Sequence, residues 1–256
     1  MAARIDLNCD LGESFGRYKL GEDEKVIPLI SSANVACGFH AGDPLVMRRT
    51  VALAKEAGIS IGAHPGLPDL QGFGRRTMRL SQEEAYSFVL YQVGALQAIC
   101  RAKGTTLAHV KPHGALYNQC SVDYNLSTAV VRAIMDVDPG LVLVGLANGE
   151  LVRAGQDLGI RVAQEFFVDR NYDERGLLRD RSLPGALITD EDLAVERLKR
   201  VILEGTLETY EGSTIQLHAD TVCVHGDGAK ALEFARRIRM DLTAAGIEIR
   251  PMGDAS

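Results

Sequence analysis

Asp6-Leu7-Asn8-Cys9-Asp10-Leu11-Gly12-Glu13 begins the chain with a strand whose two faces disagree. Side chains two apart on a strand share a face. Asp6, Asn8 and Asp10 therefore line one side, and Ile5, Leu7, Cys9 and Leu11 the other. In an antiparallel surface sheet the polar side would face water. Here alternating helix and strand patterns follow, which argues for a mostly parallel sheet, and such sheets are covered on both faces. A polar face inside one is either the wet side of an edge strand or the wall of a solvated barrel mouth or active site.

Working outward, strand patterns recur at 4–10, 32–37, 59–63, 107–111, 141–146, 161–167 and 220–224. Helical patterns separate them at 21–30, 44–57, 81–101, 115–135 (interrupted near 120–125), 149–158, 189–203 and 229–245. Asp43-Pro44 is a helix start, an N-cap residue followed by Pro at the first helical position. Ser81-Gln82-Glu83-Glu84 has the form of a capping box. The segment 206–217 is ambiguous and reads as a short β extension, and 247–249 as a terminal strand or tail. Seven strand-helix alternations predict an α/β fold, a closed or nearly closed (β/α) barrel formed as one domain over 1–256. An open doubly wound sheet is the alternative. The loop at 67–80 is long for a compact domain and reads as functional; the charged, Gly-bounded stretch 169–184 reads as a second lid.

Composition narrows the function. A net charge of −6 leaves no basic footprint, which disfavours nucleic acid as a partner. No apolar run approaches the ~18 residues that span a membrane. The first strand begins almost at once, leaving no room for a signal peptide, so the expected location is the cytoplasm. Five cysteines (Cys9, Cys37, Cys100, Cys120, Cys223) form no CxxC pair and read as reduced core residues. Only Cys120, beyond a candidate site turn, is kept as a nucleophile candidate.

In α/β barrels the working groups come from the C-terminal ends of strands and the loops beyond them. Those ends supply Asp10 and Glu13, His40 and Asp43, His64, Lys111 and His113, Glu165 and Asp169, and His225 and Asp227. Four of the six histidines stand there, and a fifth, His109, shares a face with Lys111 and His113. Small residues share the faces of two of them: Ala36 and Gly38 beside His40, Ser60 and Gly62 beside His64. That pattern leaves a lumen open for a ligand. Any one histidine reads equally well as a satisfied core residue, but buried polar groups must each find partners, and the set as a whole points to a site.

The donors suit a divalent ion such as Zn or Mn, with Asp10, His40 and His64 as possible ligands. No HxxxH or HExxH spacing selects a ligand set, and the same groups can act as acids and bases without metal. A Lys beside a His can stabilise an oxyanion while the His moves a proton. Asp43 and Asp227 also read as plain helix caps. No GxxxxGK[ST] motif occurs. His225-Gly226-Asp227-Gly228-Ala229-Lys230 is a weak anion-loop signal. Arg75 and Arg76 read either as a carboxylate or phosphate grip or as a solvated loop pair.

Five motifs together resemble the LamB/YcsF family: DLNCDLGESFG at 6–16, SSANVACGFHAGDP at 31–44, GAHPGLPDLQGFGRR at 62–76, VKPHGALYN at 110–118 and CVHGD at 223–227. The resemblance implies an irregular seven-stranded (β/α) barrel similar to those of polysaccharide deacetylases. It also implies ATP-dependent opening of 5-oxo-L-proline to L-glutamate in company with separate B and C subunits, with ATP and Mg shared with those partners. On that reading the catalytic candidates are Asp10, Glu13, His40, His64, Lys111 and His113. The substrate-binding candidates are Asn8, Gly38, Arg75, Glu165, Asp169, His225 and Asp227. Lys111 and Gly-rich loop amides would hold the substrate carboxylate or oxyanion. His113, His64 or His40, with Asp10 or Glu13, would activate water and pass a proton to the ring nitrogen. Asp6 and Asn8, deeper along the first strand, would orient these groups. Two alternatives stay open: a stand-alone metal-dependent amidase or deacetylase, and a non-catalytic subunit that delivers substrate. A homo-oligomer is compatible with either.

Overall fold

A computed structural model describes residues 3–181, 183–224 and 231–253. Its centre is a parallel sheet closed on itself. β1 (Arg4–Leu11), β2 (Ser32–Ala36), β3 (Ser60–His64), β4 (His109–Val110), β5 (Val142–Leu146), β6 (Arg161–Phe167) and β9 (Thr221–Val224) pair in that order. β9 then pairs back to β1, with Asp6 opposite Thr221 and Cys9 opposite Val224. This closure excludes the open doubly wound alternative: the wall is a seven-stranded barrel. A two-residue strand, β10 (Glu248–Ile249), joins the start of β1 in parallel outside the ring.

Helices pack around the barrel: α1 (Asp23–Val26), α2 (Pro44–Glu56), α3 (Gln82–Ala102), α4 (Gly114–Cys120), α5 (Tyr124–Val137), α6 (Glu150–Leu158), α7 (Glu191–Glu204) and α8 (Ala231–Ala244). Where an expected element is shortened, the cause is local. The helix expected at 21–30 runs as α1 and then a 3-10 turn, Ile27–Leu29, because Pro28 has no N–H to donate. β4 is cut short at Val110, and Pro112 stands two residues beyond it. The expected helix at 115–135 breaks into α4 and α5, with Asp123 capping the second through Leu126 N. The ambiguous segment at 206–217 is an antiparallel hairpin, β7 (Thr206–Glu208) with β8 (Thr214–Gln216), apart from the barrel.

The apolar face of β1 packs outward as expected. Ile5, Leu7, Cys9 and Leu11 are buried in the layer between barrel and helices, with Val51, Val89, Val93 and Leu96 among the residues of that cluster. At ~25 cal/mol per Å² of apolar surface, burying such a layer is the main driving force for folding. The polar face of β1 points into the lumen, where Asp6 and Asn8 are fully enclosed. Asp6 accepts from Ser31, Ser32 and Thr221 hydroxyls, yet burial still raises its carboxyl to about 6. Among the described residues no helix is long and apolar enough to cross a membrane.

Candidate active site

The strand ends meet at one mouth. Lys111, just past β4, reaches across the lumen as a buried cation. Its Nζ donates to Asn8 Oδ1 and Asp10 Oδ1, each at 3.1 Å, and lies 2.8 Å from Glu165 Oε1 and 3.1 Å from Cys223 Sγ. Burial alone would lower this ammonium; Asp10 and Glu165 outweigh that and hold it well above its ordinary range. Burial likewise works to raise Asp10, but His64 and Lys111 keep its carboxyl well below the usual carboxylate range. The ammonium and the Asp10 carboxylate thus sustain each other.

Above this pair sit three imidazoles. His64, the last residue of β3, places Nδ1 2.7 Å from the Lys111 carbonyl and Nε2 3.2 Å from Asp10 Oδ2. His113, which precedes α4, places Nδ1 2.9 Å from His64 Nε2 and Nε2 2.8 Å from the Phe73 carbonyl. His40 stacks on His113, their ring centroids 3.6 Å apart and nearly parallel. Burial, then His64, depresses His113 to about 3, and burial, then His113, depresses His40 well below its ordinary value. Both rings are therefore neutral near pH 7.

The loop at 67–80 folds over these rings through close backbone approaches. Gly74 has φ +62, and a Cβ there would stand 2.6 Å from His40 Cβ and 2.9 Å from His113 Cδ2. A Cβ on Gly114 would meet the Gly74 carbonyl at 2.6 Å, the same oxygen that accepts from Ala115 N. Phe73 takes φ +54, a left-handed conformation uncommon for a bulky residue, and its carbonyl is the one facing His113. Sequence reasoning misses Phe73; only its place between Gly72 and Gly74 hints at a tight turn.

Glu13, His40, His64 and His113 bring ligand-type atoms within 4.8 Å of one another. Glu13 Oε1 is 3.5 Å from His40 Nε2 and 3.9 Å from His113 Nδ1. Neither nitrogen of His40 makes a hydrogen bond to a described residue, although the ring is buried. Three imidazoles and a carboxylate suit a borderline first-row ion such as Zn or Mn, and the ring nitrogens of His64 and His113 that face away from the cluster are anchored on carbonyls, as in metal sites. The residues fit a metal. Asp10, expected beside His40 and His64 as a ligand, is outside this converging set; Glu13 and His113 stand there instead.

These groups floor a cavity of about 670 Å³. Asp10, Glu13, His64, Lys111 and His113 line it below, Tyr117, Leu146 and Phe167 form an apolar side, and Arg75 and Arg170 stand in the wall. The remaining expected substrate contacts divide. Asn8 and Glu165 lie beneath Lys111, hydrogen-bonded to each other, and do not line the cavity. Asp169 is also outside its lining, and Gly38 lines a separate open groove with Phe39, Leu70 and Arg76. His225 and Asp227 lie outside the described residues. Arg76 pairs with Asp69 rather than facing the cavity. Asp43 is the α2 cap, accepting from Leu45 and Val46 N–H and also from Gly16 N–H. Cys120 is buried, its thiol pushed up to about 12 by burial, and takes no part in the lining.

Known proteins resemble this chain over nearly its whole length. The chain is 56% identical over 251 residues, 98% of either chain, to the A subunit of 5-oxoprolinase from Bacillus subtilis. It is 52% identical over 251 residues, again 98% of either chain, to that of Pyrococcus furiosus. The lactam utilization protein from Thermus thermophilus superposes with a TM-score of 0.92 at 46% identity, covering 97% of this chain and 100% of that one. A peptidoglycan N-acetylglucosamine deacetylase catalytic domain from Eubacterium rectale matches at a TM-score of 0.51 and 10% identity, covering 100% of this chain and 91% of that one, a likeness of fold alone. The model of the LamB/YcsF family matches residues 5–256, and this chain belongs to that family.

Proposed function

We propose that this chain is the lactam-opening A subunit of an ATP-dependent 5-oxoprolinase, working with separate B and C subunits in the cytoplasm. The observation that carries the reading is the 56% identity, across 98% of both chains, to a protein named as the A subunit of 5-oxoprolinase. The site chemistry agrees with it. Opening the ring adds one water across the amide C–N bond: hydroxyl goes to the carbonyl carbon and a proton to the departing nitrogen. A five-membered lactam is a stable amide, and coupling to ATP hydrolysis, with Mg, supplies the drive. The chain has no Walker motif, which supports nucleotide chemistry held by the partners. The five cysteines are all buried and free, in keeping with a reducing compartment.

In this reading the Lys111 ammonium, its hydrogens held by Asn8, Asp10 and Glu165, sets a positive charge beneath the substrate carboxylate or the oxyanion that forms on the ring carbonyl. Glu13 takes a proton from water and passes it toward the ring nitrogen, while Asp10 and the neutral His113 ring orient the transfer. Arg75 and the apolar side formed by Tyr117, Leu146 and Phe167 hold the rest of the ring. Glu13, His40, His64 and His113 would hold a divalent metal, which when bound supplies Lewis-acid polarisation of an oxygen.

The test is ATP-dependent glutamate release from 5-oxoproline by this chain with and without B and C subunits. Turnover that requires all components supports the reading. The Glu and His cluster favours one second reading, a metal-dependent amidase acting alone; product release by the isolated chain without ATP would establish it instead. A delivery role would show as site variants that raise KM and leave kcat intact.

A further inference from the structure

Asp10, Asn34, Gly62 and His109 form one register row across four adjacent strands. Asp10 stands opposite Asn34, Asn34 opposite Gly62, and Gly62 opposite His109. Asn34 and His109 are completely buried in the lumen, and neither lines the cavity. His109 nevertheless touches Asn34, two strands away, because nothing stands between them: a Cβ on Gly62 would lie 2.0 Å from His109 Nε2. Gly62 keeps an ordinary negative φ, so its lack of a side chain serves this contact and not a turn.

The polarity of the row follows from donor and acceptor chemistry alone. A carboxylate only accepts and an ammonium only donates. Asn34 therefore turns its amide nitrogen toward Asp10 Oδ1, at 2.9 Å, and its second N–H toward Asn8 Oδ1, at 2.7 Å. Asn8 Oδ1 must be the acceptor there, because it also accepts from Lys111 Nζ while Asn8 Nδ2 donates to Glu165 and Thr221. The Asn34 carbonyl oxygen is then left facing His109 Nε2 at 2.8 Å, which must carry a hydrogen. Burial depresses His109 to about 3, so the ring has one proton to place, and Nδ1 has no described partner.

We propose that His109 is a positioning residue that acts through Asn34: its Nε2–H anchors the oxygen end of the Asn34 amide, so that the nitrogen end is held on Asp10 Oδ1. Without that donor the buried Asn34 oxygen loses its described partner, and the amide is held at its nitrogen end alone. The Asn34 donor then drifts from Asp10 Oδ1, and the placement of Oδ2 against His64 loosens. The substrate never meets His109. The inference rests on the proposed function only for its kinetic consequence; the hydrogen-bond polarity stands apart from it.

Two measurements test it. Nitrogen-15 NMR of the imidazoles in the intact chain should find His109 as the Nε2–H tautomer near pH 7; an Nδ1–H tautomer overturns the proposal whatever the activity. In the full assembly with B and C subunits, His109→Leu should lower kcat by about 10- to 100-fold with KM changed by less than about 3-fold, the range for residues that orient a catalytic group. Gln carries an N–H where the His places Nε2, so His109→Gln should restore kcat to within about 3-fold of the parent. Equal impairment of the Gln and Leu variants would mean that ring packing and not the donor matters, and the proposal falls. Asp10→Asn separates the two levels. If it is inactive while His109→Leu is not, this inference alone fails; if it is fully active, the underlying site reading fails with it. Should His109→Leu not fold, the tautomer and the Gln variant still decide.

Discussion

His113 Nδ1 lies 2.9 Å from His64 Nε2, and the other nitrogen of each ring faces a backbone carbonyl, Phe73 for one and Lys111 for the other. Each carbonyl requires a hydrogen on the nitrogen it faces. A neutral imidazole has only one hydrogen, so two neutral rings would set lone pair against lone pair. A cation belongs at this contact, either a proton shared with Asp10 Oδ2 nearby or a metal ion.

The metal alternative gives the first prediction. The chain expressed in rich medium should retain about one equivalent of a first-row divalent ion such as Zn or Mn, measured by elemental analysis after gel filtration. His64→Ala and His113→Ala should each reduce retention by at least about 10-fold. Metal-free parent protein with full activity in the assembly would assign the contact to a proton.

Asp10 is the carboxylate that joins the Lys111 ammonium to the imidazoles. Asp10→Asn keeps the shape and removes the charge. It should lower kcat by about 10²- to 10⁴-fold, the usual contribution of a positioned acid or base, with circular dichroism and partner binding unchanged. A variant with parental kcat would remove Asp10 from the catalytic set.

Glu165 is wholly buried, 2.8 Å from Lys111 Nζ, and accepts from Asn8 Nδ2 at 3.0 Å. Glu165→Ala strips a buried cation of one partner and an amide of its acceptor. Losses of this type run to about 3–5 kcal/mol, read as a lower urea midpoint at unchanged slope. Glu165→Gln keeps the acceptor and should fall in between. An alanine variant of parental stability would show the pair to be open to solvent.

Acid stability should carry a signature of His109. Its folded value is depressed to about 3 against about 6.5 for a free imidazole. Between those values the unfolded chain binds a proton that the folded chain does not. The stabilisation is therefore complete above about pH 6.5 and is lost as pH falls toward 3, at up to about 1.4 kcal/mol per pH unit for one proton. His109→Gln should flatten the slope of unfolding free energy between pH 6 and 4 by that amount relative to the parent. Asp6, raised to about 6, acts in the opposite sense but is common to both proteins. Parallel pH profiles would contradict a neutral His109.

The lumen-facing polarity of β1 was legible because a period of two depends on one strand alone. The gathering of His40, His64 and His113 at the mouth was legible because strand ends in a parallel barrel point the same way. What crosses between strands was not. Asn34 read as an ordinary strand residue and Gly62 as room beside His64, because their link to His109 depends on a register set between segments far apart in sequence. The choice of Glu13 over Asp10 in the converging set was also hidden. Asp10 ends a strand and Glu13 stands in a turn, and only the φ values of Gly12 (+69) and its neighbours decide where the turn carries the side chain. The hairpin at 206–217 stayed ambiguous because three-residue strands carry too little alternation to count.

The pairing of β1 with β9 sets a schedule for synthesis. Asn8 and Thr221, joined by a 2.6 Å hydrogen bond, are 213 positions apart. At about 5–20 residues per second, roughly 10–40 seconds pass between their translation. Until then one edge of β1 has no neighbour along Asp6 to Cys9, and Lys111 lacks Cys223. Asp6, Asn8 and Asp10 therefore wait through the translation of about two hundred further residues before the strand that closes the barrel exists. Contacts of such long range also make folding slow, and the final strand is the step that turns a sheet into an enclosed site.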